Sequence, residues 1–414
     1  MTALRDERAS RAQGLASLAR ARRDAVLAFA RDLVRIESPS GSEEAAARRT
    51  VEEMRALGLD EADLDEAGNA VGVLRARRGA PLSGALLFDS HLDVVDAGDS
   101  SGWTHGPFSG VVAGGRLHGR GATDAKSAVA GMVHAAGLLA SSSLELSRDL
   151  VVAAVVQEEV GGLGTACLLE SGRRFHAAVI GEPSLGALAF GHRGRVELEV
   201  SFRGKAAHAS RPDWGVNPHA SLARFVSSLE SVECGHDPRF GRSSVSPTTI
   251  RAEPASPNVI PETVTLTLDW RHVPGEEPAA VEARIARLAE AAALPGVQAS
   301  VRLPLRPLTS WKGARRDVPR ISRGFAVEPD AAPFATVRRC LAAGLGREVA
   351  AIGWDFASDG GWLAAAGTTC VGYGPGDMEL MHCREESVSV DALAESVAAY
   401  AILALALDGP GAPA

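Results

Sequence analysis

"LLFDSHLDVVDAG" occupies Leu86–Gly98. Its apolar spine reads as a buried strand, yet Asp89, His91 and Asp93 interrupt it. Ionisable groups in an apolar strand are costly unless they are paired, bound or used. Working outward, "GNAVGVLRA" (68–76), "RDLVVAAVVQEEV" (148–160) and "HAAVIGEPS" (176–184) read as further strands. The last two are nearly continuous apolar runs, the pattern of strands covered on both faces. Between them lie helical patterns, "AVLAFARDLVRI" (25–36), residues 38–58 with Ser42 as N-cap, and "DAKSAVAGMVHAAGLLAS" (124–141). Strand and helix in alternation predict an α/β sheet, mixed but mainly parallel, with helices on both sides.

The period changes near residue 193. "RVELEVSFRG" (195–204) alternates with period two. Helix 217–232, strands 246–254 and 262–273, helix 276–293 and strand 297–305 follow. The order βαββαβ predicts a ferredoxin-like α+β unit. The first pattern resumes at "APFATVRRCLAAGLG" (332–346) and closes with "DALAESVAAYAILALAL" (391–407). The expected organisation is therefore a catalytic domain of residues 1–192 and 307–414, with residues 193–306 inserted as a lid and dimerisation domain. The Arg- and Pro-rich segment 307–332 is expected to be a connection.

Composition narrows the function. The 414 residues carry a net charge of −8, with 46% hydrophobic and 23% charged residues, as in an ordinary globular protein. No basic block with interleaved aromatics points to nucleic acid. No apolar run is read as a membrane span. The first 24 residues lack the apolar centre of a secretory signal and read as a surface helix. Five cysteines without a C-x-x-C pair suit reduced thiols in a cytoplasm, and Cys383 follows a His of interest.

The expected strands end in polar residues of one kind: His91 and Asp93, then Glu158-Glu159 after eight uncharged residues, then Glu182. Loops add Asp124 and His382. In an open α/β sheet the ligand site lies at the carboxyl ends of the strands. Two His and several carboxylates form a nitrogen-and-oxygen donor set suited to Zn²⁺, Mn²⁺ or Co²⁺. Any one of these residues alone is more often structural or solvated; the ordered set is the signal.

"SHLDVV", "GRGATDAKSAVAGMV", "QEEVGG", "GEPS", "GKAAHASRPDWGVNPH", "NVIP", "DWR" and "GPGDMELMHCREES" follow one another in the order that resembles the M20 family of metallopeptidases and amidohydrolases. Acetylornithine deacetylase, succinyl-diaminopimelate desuccinylase, aminoacylase and glutamate carboxypeptidase belong to that family. The resemblance spans about residues 25–405. It implies two divalent metal ions, Zn²⁺ first, with Co²⁺ or Mn²⁺ as alternatives. His91 and Glu182 would hold one, Glu159 and His382 the other, and Asp124 would bridge them. Glu158 would be the general base that deprotonates the metal-held water, and Asp93 would hydrogen-bond the far nitrogen of His91. Asp89 has no family role and is expected to cap or to be solvated.

The same resemblance implies that His208 helps the partner subunit's site in a homodimer built through the inserted domain. Asn258 and Arg271 would bind the substrate's carboxylate or line its pocket, although Arg271 could instead pair with Asp269 or Glu262. Ser358 and Gly360 of "ASDGG" are further substrate candidates, while Arg193 and Arg195 read as hinge or structural residues. Asp96, Ala125 and "HCREE" depart from the family's common residues without removing a ligand. The expected activity is hydrolysis of an amide in an N-acyl amino acid or similar small substrate. A dipeptidase or carboxypeptidase of the same family is the alternative, and a non-catalytic binding or scaffold protein a more distant one. No strand-to-helix nucleophile elbow or complete "GxGxxG" loop favours another enzyme class.

Overall fold

A computed structural model describes residues 14–78 and 82–408. The chain builds a nine-stranded sheet and a smaller antiparallel one. The first sheet contains β1 (Glu61–Leu64), β2 (Ala70–Leu74), β3 (Ala85–His91), β4 (Leu150–Val155), β5 (Phe175–Ile180) and β6 (Leu188–His192). The second contains β7 (Gly194–Arg203), β8 (Ser244–Glu253), β9 (Thr263–His272) and β10 (Gln298–Arg302). A hairpin of β11 (Leu305–Thr309) and β12 (Arg315–Pro319) follows, then β13 (Ile321–Ser322), β14 (Phe325–Ala326), β15 (Ala351–Trp354) and β16 (Thr369–Gly372).

Strand order in the large sheet is β1-β2-β4-β3-β5-β16-β6-β14, with β15 beside β6. The middle is parallel: β3 pairs with β4 and β5, and β5 with β16. Pairing turns antiparallel toward both margins. Every residue of β4 is buried, as its unbroken apolar run requires. Helices α1 (Arg23–Arg35), α2 (Glu44–Ala56), α3 (Lys126–Ala140) and α9 (Val390–Leu407) share one core with one face of this sheet. Leu168 of α4 (Leu163–Glu170) and Leu363 of α8 (Gly360–Ala365) belong to the core on the other face. Ser42 does not cap α2. Glu43 occupies that position, and its carboxylate accepts from the Gly41 and Gln157 amides.

α9 meets the length and composition of a membrane span, contrary to the reading that no run does. It is the central helix of the core: 72% of it is buried, against α3 and under the sheet. Gly131 of α3 lets it approach; a Cβ there would lie 2.3 Å from Ser396 Oγ and 2.9 Å from the Tyr400 ring. The N-terminal surface helix falls partly outside the described residues.

The small sheet has the order β8-β9-β7-β10, antiparallel throughout. Helices α5 (His219–Ser228) and α6 (Pro278–Ala292) pack on its apolar face. The period of two in β7 separates Val196, Leu198 and Val200 in that core from Arg195, Glu197 and Glu199 on the opposite face. The segment expected to be a mere connection forms structure of its own. The β11–β12 hairpin packs Leu308 and Val318 against Leu163, β13 joins the small sheet, and β14 joins the large one. The chain crosses between sheets at two glycines that lie side by side. A Cβ on Gly194 would stand 2.6 Å from the Gly324 nitrogen. α7 (Ala332–Leu345) then leads back to the large sheet.

Candidate metal centre

Three adjacent parallel strands deliver the first residues of the site. His91 ends β3, directly beside Val155 at the end of β4. The chain then turns through Gln157, held at φ 58°, to present Glu158 and Glu159. Glu182 follows the end of β5. Asp124 precedes α3, and His382 stands in the left-handed region at φ 59° after a short helical turn. Two such conformations at non-glycine residues within one site are uncommon.

Asp124 is the centre. Its Oδ1 lies 3.0 Å from His91 Nε2, and its Oδ2 lies 3.1 Å from His382 Nε2. Glu182 Oε1 is 3.8 Å from His91 Nε2, and Glu159 Oε1 is 3.2 Å from His382 Nε2. Donor atoms of His91, Asp124 and Glu159 lie within 4.8 Å of one another, and so do those of His91, Glu158 and Glu182. His91, Asp124 and Glu182 are buried, whereas the His382 side chain is 46% exposed.

The charges do not balance locally. Burial opposes protonation of His91, but the Asp124 hydrogen bond and the Glu182 charge outweigh it and raise its pKa well above the ordinary value. Hydrogen bonds to Asp124 and Glu159 push His382 up to about 10. Burial works to raise Asp124, yet the two imidazoles hold it below the usual carboxylate range. Glu158 is pushed well up by burial, then by the charges of Asp359 and Glu182. Burial and the neighbouring carboxylates Asp124 and Glu159 likewise raise Glu182, against the opposing charge of His91. Buried carboxylates in excess over cations are the environment a divalent cation relieves. The nitrogen-and-oxygen donors fit one.

Asp93 does something other than expected. His91 Nδ1 meets the backbone carbonyl of Asp93 at 2.9 Å, while the Asp93 carboxylate is 3.7 Å away. That carboxylate instead accepts from the Glu158 amide at 3.0 Å, the Glu159 amide at 3.1 Å and Ser40 Oγ at 2.7 Å. Asp89 is not solvated; it is buried beneath the site, 3.4 Å from Thr165 Oγ1. Thr165 donates at 2.5 Å to Asp359, a buried carboxylate raised to about 6 by burial. Glu386 receives the Thr123 and Asp124 amides at 3.1 Å and pairs with buried Arg120. Ser40, Thr165, Asp359 and Glu386 went unmarked in the sequence. Asp359 and Glu386 do lie within "ASDGG" and "HCREES".

The expected substrate residues do not all converge. A cavity of about 180 Å³ opens from Glu158 and Glu159, and Ser358 and Asp359 line it. Ser358 Oγ is 2.9 Å from buried His192 Nε2. Gly360 does not line this cavity; a Cβ on it would strike Phe325 at 2.5 Å. Arg271 is exposed and donates to Asp269 at 2.7 Å, the pairing alternative. His208 and Asn258 are exposed neighbours in the small unit, where the Ala209 amide donates to the Asn258 carbonyl. His208 Nδ1 rests 2.8 Å from Ser210 Oγ. Neither lines the cavity, whereas Arg195, read as structural, does. Cys383 Sγ contacts the Leu380 carbonyl, and none of the five cysteines forms a disulfide among the described residues.

The chain is similar to known proteins over most of its length. The Escherichia coli K12 protein YgeY, named only as an uncharacterized protein, is 28% identical over 387 residues, covering 91% of this chain and 93% of that one. Succinyl-diaminopimelate desuccinylase of Paracoccus denitrificans is 32% identical over 250 residues, 58% of this chain and 65% of the relative. The crystal structure of the Bacillus subtilis YXEP protein, described as a dinuclear metal binding peptidase, superposes with a TM-score of 0.70 at 20% identity. It covers 93% of this chain and 98% of the other. The profile of peptidase family M20/M25/M40 matches residues 87–406, a span holding every residue of the donor cluster. The chain is thus a hydrolase belonging to peptidase family M20/M25/M40.

Proposed function

We propose that this enzyme hydrolyses the amide bond of an N-acyl amino acid or similar small substrate, using two divalent metal ions. The observation that carries the reading is the Asp124 carboxylate, one oxygen on each of two imidazoles, with a further carboxylate beside each ring. His91 and Glu182 would hold one ion, His382 and Glu159 the other, with Asp124 between them. Zn²⁺ is the first candidate, and Co²⁺ or Mn²⁺ suit the same donors. Such ions would polarise the scissile carbonyl and acidify a water molecule.

The chain's own residues do the rest. Glu158 takes a proton from the attacking water on its carboxylate and passes it to the leaving nitrogen. Asp93 holds the backbone that aims Glu158 and Glu159. His208, exposed on the small unit, would enter a neighbouring subunit's site in a homodimer, and Asn258 beside it would bind the substrate's carboxylate or line its pocket. There His208 would donate to the oxyanion of the substrate. Arg271 is available to a substrate carboxylate once it releases Asp269. The residues from 193 to 306 would act as the lid and dimerisation domain. Five cysteines outside any disulfide suit a cytoplasmic setting.

A dipeptidase or carboxypeptidase reading uses the same centre and differs only in the substrate terminus recognised. A non-catalytic role would be expected to go with a broken donor set, and here the set is intact. The test compares wild type with Glu158→Ala. Both are expected to hold two metal ions per chain, and only the wild type to cleave a panel of N-acetyl, N-succinyl and N-formyl amino acids and dipeptides. Failure to bind a transition metal when one is supplied would overturn the reading.

A further inference from the structure

His192 ends β6, and its buried ring is clamped beside the crossing between the sheets. Phe325 of β14 lies edge-on to it at 4.8 Å between ring centroids, and Trp354 of β15 stacks on it at 6.5 Å. The two ring nitrogens have fixed roles. Nδ1 is 2.9 Å from the Arg193 carbonyl, an oxygen that only accepts, so Nδ1 carries the proton. Nε2 receives the Ser358 backbone N–H at 3.1 Å, a group that only donates, so Nε2 is the acceptor. Burial keeps the ring neutral by lowering its pKa to about 4. Ser358 Oγ stands 2.9 Å from the same Nε2. Its proton points there, since lone pairs would otherwise face each other. The Gly360 amide donates to Oγ at 3.3 Å. The hydroxyl is left with one lone pair to offer and no proton.

Ser358 lines the cavity that opens from Glu158 and Glu159, and so does Asp359 beside it. The two loops touch: a Cβ on Gly162, close behind Glu159, would lie 2.5 Å from Asp359 Oδ1. In the hydrolytic reading above, the leaving nitrogen comes to Glu158 for its proton, and so it stands before this wall. A secondary amide nitrogen carries one N–H. We propose that His192 fixes the Ser358 hydroxyl as an acceptor for the N–H of the scissile amide, so that the enzyme selects secondary amides over esters and N-alkylated amides. Ser358 touches the substrate and His192 is a positioning residue acting through it. The hydrogen bond holds the nitrogen with its other face open to the proton carried by Glu158. An ester oxygen at the same place would meet Oγ lone pair against lone pair. The inference rests on the hydrolytic reading and adds to it a choice among leaving groups.

The test pairs N-acetyl amino acids with the O-acetyl esters of the matching 2-hydroxy acids, which replace N–H by O without added bulk. Wild type, Ser358→Ala, Ser358→Thr, His192→Leu and His192→Gln are assayed with metal bound. Ser358→Ala keeps the backbone N–H on Nε2 and is expected to lose about 2- to 12-fold in kcat/KM for the amide, with the ester changed less than about twofold. Ser358→Thr is expected to recover the amide. His192→Leu frees the hydroxyl to turn its proton into the cavity, so the preference for amide over ester falls. His192→Gln, whose side-chain oxygen accepts from the same two donors, is expected to regain most of that preference. Equilibrium binding of both compounds to metal-loaded Glu158→Ala, with and without Ser358→Ala, reads the contact without turnover. Amide and ester losing equally, or neither losing, in Ser358→Ala and His192→Leu would overturn the inference and leave the hydrolase reading intact. If wild type cleaves neither compound but binds the amide more tightly in a Ser358-dependent way, the contact stands and the hydrolase reading fails.

Discussion

Replacing Asp93 with Asn separates two roles that one carboxylate could have. Asp93 is fully buried, and its two oxygens receive the Glu158 amide at 3.0 Å and the Glu159 amide at 3.1 Å. Asn at this position leaves one acceptor and turns an NH₂ toward the other N–H. One charge-assisted hydrogen bond is lost, about 1.5–3 kcal/mol, and one buried N–H is stranded, about 1–3 kcal/mol. A displaced Glu158 carboxylate then costs proton transfer, for which a positioned base typically contributes about 10²–10⁴-fold. His91 should be spared, because its Nδ1 is held by the Asp93 backbone carbonyl, which the substitution keeps. Asp93→Asn is therefore expected to keep both metals within about threefold in affinity, while kcat falls at least about 100-fold and urea unfolding shows a loss of about 2.5–6 kcal/mol. Competition with a chelating dye measures the metal; initial rates and denaturation measure the rest. Loss of metal affinity with kcat per bound metal unchanged would refute the clamp and restore the carboxylate to His91.

Other expectations follow from the same structure. Dialysis against a chelator leaves Glu158 and Glu182 as buried carboxylates, so with metal about 100-fold above Kd each site withdraws about 2.7 kcal/mol when emptied; a melting temperature unmoved by chelator would count against the site. Buried His192 is lowered from 6.5 to about 4 by burial first, with His272 adding to the effect. Its unfolded form takes up a proton below pH 6.5 that the native form refuses, so stability is complete above pH 6.5 and declines as pH falls toward 4, by about 3 kcal/mol in all. His192→Gln should flatten the wild-type slope of unfolding free energy between pH 6.5 and 4.5 by one proton, and an unchanged slope would exclude His192 as its source. Gly131→Ala would add about 1 kcal/mol by helix propensity, but the new methyl meets Ser396 Oγ at 2.3 Å. Overpacking of about 1–3 kcal/mol should dominate, and a raised melting temperature would show that α9 gives way freely.

Much of the large sheet could be read from the chain because its strands announce themselves: Leu150–Val155 is uniformly apolar and uniformly buried. The donor residues stood out for the complementary reason, as charged groups ending apolar runs. What stayed hidden depends on geometry that spacing does not encode. The choice of Asp93 between an imidazole and two amides is a matter of side-chain direction. Asp89 looked like a surface residue because nothing local shows that α4 and α8 cover it with Thr165 and Asp359. The β11–β12 hairpin is hidden because its short strands carry arginine and proline instead of an apolar pattern. α9 was under-read because Asp391 and Glu395 sit in its first turns and the uncharged run after them is short.

The adjacent glycines at the crossing, Gly194 and Gly324, have a consequence for ancestry. Two chain ends within bonding reach of each other can be joined by a very short bridge. The whole of residues 195–323 is thereby removable in principle without pulling β6 or β14 from its place, and a foreign unit with neighbouring ends could be spliced into the same gap. Because Leu308 and Val318 of the hairpin cover Leu163, such an exchange would leave the strands that gather His91, Glu158 and Glu182 unchanged only where the incoming unit supplied an equivalent cover.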